Sequence, residues 1–163
     1  MTATVQVGEK NGTAGTFTDK SSGTIRFKNA DNATVDANNT MVVPTSGYDR
    51  SYKKWTRLKV TVAPATNITN LKFYTDGTSG FGTGIATYAK AVTTYATPAE
   101  PTADTGFTDA FTYTSGSALS LGTASYTGTG EKGDHCVLYL RVATSASQGT
   151  LTAETGTWSY DET

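Results

Sequence analysis

The chain has 163 residues and a net charge of −1, with only 36% hydrophobic and 17% charged residues beside 34 threonines and 17 glycines. This composition excludes a coiled coil, a membrane-spanning helix and a collagen-like chain. The near-neutral balance gives no whole-molecule attraction to nucleic acid or to an anionic membrane. Threonine favours strands and glycine favours turns, so the chain reads as one soluble all-β domain over residues 1–163.

In chain order, Thr4–Val7 is the first strand candidate, and its flank has neither the basic region nor the apolar core of a signal peptide. Synthesis and first folding in a cytoplasm are therefore expected. Glu9–Ser22 reads as a loose N-terminal arm, and Thr24–Lys28 and Thr40–Val43 as short strands. Asp49–Trp55 is the best helix candidate, too short to stand alone. Thr56–Ala63 alternates, with Leu58, Val60 and Val62 on one face and Arg57, Lys59 and Thr61 on the other. Ile68–Asp76 places Leu71 and Phe73 opposite Lys72 and Tyr74; with a turn at Pro64–Asn67, the two runs read as an antiparallel pair.

The glycine-rich stretch Asp76–Gly84 is expected to be a hairpin or bulged connection. It lacks the Gly-Lys-Ser/Thr ending of a phosphate loop, and no helix follows it. Ile85–Tyr95 reads as a long strand with a partly polar face. Thr97–Thr105, with Pro98 and Pro101, reads as a flexible loop. Ala110–Thr114 and Leu119–Leu121 are weaker strand candidates. Cys136–Thr144 is nearly continuously apolar, as in a central buried strand, and Thr150–Tyr160 suits a closing strand. The sum is an antiparallel β-sandwich or jelly roll of about eight to ten short strands.

The catalytic inventory is thin. The chain has one histidine, His135, and one cysteine, Cys136. Adjacent strand residues point to opposite faces, so Asp134, His135 and Cys136 do not form a triad by adjacency. His135 reads as a strand-entry residue and Cys136 as a small buried hydrophobe. Asp31 and Asp36, among Asn32, Asn38 and Asn39, read as a solvated polar turn without the spacing of a calcium loop. No catalytic residue, metal site or cofactor is expected. One cluster stands out: Tyr48, Arg50, Tyr52, Lys53, Lys54, Trp55 and Arg57, which with Lys59 holds five of the 13 basic residues. No Lys or Arg lies between Lys90 and Lys132, where Glu100, Asp104, Asp109 and Glu131 fall. Aromatic and Arg residues together suit a protein interface. The cluster therefore reads either as a patch docking on an acidic partner or a neighbouring copy's acidic segment, or as a solvated strand entry around one buried Trp.

The runs Asn67 to Gly77 (NITNLKFYTDG), Phe81 to Gly84 (FGTG) and Tyr95 to Pro101 (YATPAEP), within a Thr/Ala/Gly/Ser-rich chain, resemble small all-β structural proteins of tailed bacteriophage virions, of the capsid decoration (cement) type. The resemblance implies a non-enzymatic virion component. It would bind the major capsid protein shell at symmetry axes and bridge capsomers as a homo-oligomer, with a trimer among the states implied. Such proteins share no motif, so no residue role is carried over. Two other functions fit the residues. One is a phage neck, tail or fibre structural protein contacting other virion proteins. The other is a carbohydrate-binding β-sandwich that stacks sugars on Tyr48, Tyr52, Trp55, Tyr74 and Tyr88.

Overall fold

The computed structural model of the chain describes residues 2–163. Ten strands follow in order: β1 (Thr4–Asn11), β2 (Thr16–Asp19), β3 (Tyr48–Arg50), β4 (Lys54–Val62), β5 (Ile68–Tyr74), β6 (Ile85–Val92), β7 (Thr108–Asp109), β8 (Leu119–Gly122), β9 (Gly130–Ala143) and β10 (Thr157–Glu162). They form two antiparallel sheets. The larger runs β2-β1-β4-β9-β6-β7, with β3 pairing β9 beyond the end of β4; the smaller runs β10-β5-β8. The expected all-β architecture is the observed one.

The core lies between the sheets. Leu58 and Val60 of β4, Ile68, Leu71 and Phe73 of β5, Leu121 of β8, and Cys136 and Leu138 of β9 pack together there. The alternation expected in β4 and β5 therefore points Leu58, Val60, Leu71 and Phe73 inward, but Val62, expected on the same face, is exposed at the end of β4. The two strands do not pair with each other, however. β4 lies between β1 and β9, whereas β5 lies between β10 and β8, so the Pro64–Asn67 connection crosses from one sheet to the other. The glycine-rich stretch after β5 also crosses between sheets, joining β5 to β6, and is no hairpin.

Several other expectations are corrected. Asp49–Trp55, too short to stand alone as a helix, holds the end of β3, a three-residue link and the start of β4. Thr24–Lys28 and Thr40–Val43 form no strand. They belong to a long covering segment in which Asn29 N–H donates to Asn39 O at 2.8 Å. Ala110–Thr112 is a single 3-10 turn capped by the Asp109 side chain. Glu9–Ser22 carries the end of β1 and all of β2, joined through Gly12 and Gly15, both at positive φ. Thr97–Thr105 has no regular structure, yet Pro98 and Pro101 are buried.

Strand β9 explains the layering. Residues Cys136 to Leu140 are all buried, so both faces of the strand are covered. Cys136 and Leu138 face the smaller sheet. Val137 and Tyr139 face the other way, and Tyr139 lies against the 93–107 segment, where Phe107 packs edge-on to it and Asp104 accepts from its hydroxyl. This two-sided burial matches the continuous apolar run in the sequence.

Candidate functional site

The structure disperses the Tyr48–Arg57 cluster. Lys54 and Trp55 are consecutive, so their side chains leave opposite faces of β4, and each meets a covered surface. Lys54 is buried against Glu9, with Nζ 2.9 Å from Oε1. Trp55 is 5% exposed and packs edge-on to Tyr95 and His135. Neither is available to a partner or a sugar as the fold stands. Tyr52 and Lys53 are half-buried, and Lys53 N–H donates to Ala99 O. Tyr74 stands on β5 in the other sheet, away from the rest.

The acidic segment that complements the cluster lies in the same chain. Arg57 Nη1 reaches Glu131 at 3.3 Å, and Lys10 reaches the same carboxylate at 2.6 Å. Arg50 Nε pairs with Asp104 at 2.9 Å, and Arg141 pairs with the other oxygen of Asp104. Two basic residues of the cluster, Arg50 and Arg57, thus pair with Asp104 and Glu131 of the acidic stretch.

What remains as a surface is built on Tyr48 and Arg50 from β3, Tyr88 from β6 and Arg141 from β9. The register Arg50↔Arg141 and Ala86↔Arg141 sets these strands on either side of β9. The Arg141 guanidinium carbon lies 4.3 Å from the Tyr48 ring centre and 4.9 Å from that of Tyr88. Tyr88 in turn stacks on Tyr139, with ring planes 11° apart. Arg50 lies 5.3 Å from the same Tyr48 ring. Tyr48 tops this pile and is 50% exposed. Three groups hold the base rigid. Burial disfavours the Asp104 carboxylate, but hydrogen bonds from Arg50, Tyr139 and Arg141 outweigh it and bring its pKa down to about 2. Burial and the Asp104 contact push the Tyr139 hydroxyl well above the usual phenol range.

Tyr48 and Arg50 were readable as interface candidates. Tyr88 is a sugar-stacking candidate and Asp104 one of the acids facing the basic cluster, but their distance in sequence hides that they meet here; Arg141 is singled out by neither reading. One signal marked Arg141: it is the lone charge within the apolar run from Cys136 to Ala143.

His135 sits within β9, its Nδ1 3.1 Å from Val92 O and its ring buried. Burial and the neighbouring Arg57 lower its pKa. Cys136 is a free buried thiol, and burial raises its pKa far above the usual range. Asp31 and Asp36 have protein partners: Asp31 accepts from Asn11 Nδ2 and Gly12 N–H, each at 2.8 Å, and Asp36 pairs with Lys28 at 2.6 Å. An open groove of about 430 Å³ lies between Asn11, Thr16, Thr18 and residues 31–34, and most of its accessible lining is apolar. Among the described residues no group of three or more His, Cys, Asp or Glu stands close enough to hold a metal ion. No protein-family model, curated protein or solved structure matches the chain.

Proposed function

We propose that this chain is a non-enzymatic structural protein of a virion, which docks on the major capsid shell as a decoration protein and braces neighbouring capsomers. The single observation that carries the docking part is the Tyr48–Arg141 pile. It combines a half-exposed aromatic ring with two guanidinium groups already fixed by Asp104. Tyr and Arg are the side chains most often responsible for interface affinity. Side chains already held in place lose little conformational freedom on docking. The virion assignment rests on the resemblance of the sequence to phage decoration proteins and is supported by a stiff Thr-rich sheet scaffold. Repeated copies on a lattice would bind through avidity, so each contact needs only modest strength.

The test is sedimentation of the purified protein with undecorated capsid shells. The protein should pellet with the shells. Protein that stays in the supernatant with shells, yet pellets with tail or neck particles, would move it to another virion position. Retention on immobilised glycans through Tyr48, without any particle binding, would favour the carbohydrate reading.

A further inference from the structure

The docking surface makes no use of Glu9 and Lys54, an ion pair with both members buried. β1 and β4 run antiparallel with Lys10 opposite Trp55, which makes Asn11 and Lys54 the next facing positions. Glu9 and Asn11 are two residues apart on one strand and share a face. Glu9 is 0% exposed and Lys54 1%. Lys54 Nζ donates to Glu9 Oε1 at 2.9 Å, and Asn11 Nδ2 donates to the same oxygen at 3.1 Å. An amine and a carboxamide from neighbouring strands therefore meet on one buried carboxylate oxygen.

Two further features set this cluster apart from an ordinary buried ion pair. Glu9 Oε2 and Asn11 Oδ1 are both buried without a hydrogen-bond partner, although buried polar atoms are normally satisfied. Asp31 grips the asparagine from the other side, accepting from Asn11 Nδ2 and from the following Gly12 N–H, both at 2.8 Å. The carboxamide nitrogen is thus held between two carboxylates, while its carbonyl has no partner.

We propose that Lys54 and Asn11 join in an intramolecular isopeptide bond, with Glu9 carrying the protons. Glu9 takes a proton from the Lys54 ammonium, and the freed Nζ attacks Asn11 Cγ. The Cγ–Nδ2 bond breaks as the Nζ–Cγ bond is made. Of the three protons on Nζ, one stays on the new amide. The other two pass by way of Glu9 to the departing nitrogen, which leaves as ammonium. Glu9 ends as the carboxylate it began as, and no electrons are exchanged with any other species. Fixed proximity supplies the drive, since both reacting groups are already ordered by the fold. The product ties the N-terminal strand covalently to the centre of the large sheet.

Mass spectrometry of the folded full-length protein tests this. The chain should be lighter than its sequence by one ammonia. A tryptic digest should yield one branched peptide joining the Asn11 and Lys54 segments, uncleaved after Lys54. Lys54→Arg, Asn11→Ala and the isosteric Glu9→Gln should each restore the full mass and the two separate peptides. The wild-type digest decides without any variant: separate, unmodified Asn11 and Lys54 peptides overturn the proposal. A loss of ammonia that persists in Lys54→Arg and is cleaved by hydroxylamine also overturns it, since that identifies a succinimide at Asn11-Gly12.

Discussion

The Tyr139 hydroxyl donates to Asp104 at 2.7 Å, fastening the central strand to a segment that has no regular structure of its own. Arg50 and Arg141 share the same carboxylate, so one residue holds both ends of the candidate docking surface. Removing its charge should be felt in stability and in acid tolerance.

Asp104→Asn should lower stability at pH 7 by about 2 kcal/mol, the free-energy equivalent of a carboxyl moved from its ordinary 3.8 to about 2. For a chain of this size that corresponds to a fall in melting temperature of about 5 °C. The folded pKa is depressed, so this contribution is present above pH 3.8 and disappears as the pH falls towards 2. Thermal melts of the wild type and Asp104→Asn should therefore differ at pH 7 and converge at the acid end. Equal melting temperatures at pH 7 would show that Asp104 does not brace the site.

His135 should give the wild type a second, distinct pH response. It is the chain's single histidine, so no other side chain has an ordinary pKa between pH 5 and 8. Burial and Arg57 depress its folded pKa below 6.5, with Lys10 acting in the same direction and the hydrogen bond to Val92 O and Glu131 opposing. Below pH 6.5 the unfolded chain takes up a proton that the folded chain resists, so stability should decline from pH 6.5 towards 5. His135→Gln should flatten that slope in a melting-temperature profile. An unchanged slope in the variant would assign it elsewhere.

Gly133 and Gly128 have the same φ, +68°, but different surroundings. A Cβ on Gly133 would lie 2.5 Å from Leu121 O and 2.8 Å from Leu71 Cδ2, whereas one on Gly128 meets nothing within 4 Å. Gly128→Ala should cost about 1 kcal/mol, from the left-handed backbone alone. Gly133→Ala should cost about 3 kcal/mol or more, because the packing of β8 against β9 must also shift. Denaturant midpoints of the two variants give the comparison. Equal costs would mean that β8 does not pack closely at Gly133.

The sequence made some layers of this fold legible and hid others for identifiable reasons. Leu58 and Val60, and Leu71 and Phe73, revealed their inward faces because period-two alternation is a local property of a strand. Their assignment to one hairpin failed because pairing is non-local: β4 takes its partners from residues 4–10 and 130–138. The β2 strand was hidden by its composition, since Thr16–Asp19 is a short edge strand with only Phe17 partly inside. In the candidate site, Tyr48 and Arg50 were visible in one charged and aromatic cluster. Trp55 is the one buried Trp of the alternative reading, whereas Lys54 departs from both readings, because the start of β4 is covered on both faces and a charge there is not a solvated surface. The partners that organise the site, Asp104 and Arg141, meet only through the tertiary fold.

The central claim is that this scaffold works by docking through the Tyr48 face, and affinity for undecorated shells tests it most directly. The wild type should saturate the shells at a fixed number of copies per capsomer. Tyr48→Ala, with unchanged thermal stability, should bind about 30-fold more weakly, as expected for an interface residue contributing about 2 kcal/mol. Wild-type and Tyr48→Ala binding curves that superimpose, or a wild type with no affinity for shells, would contradict the account.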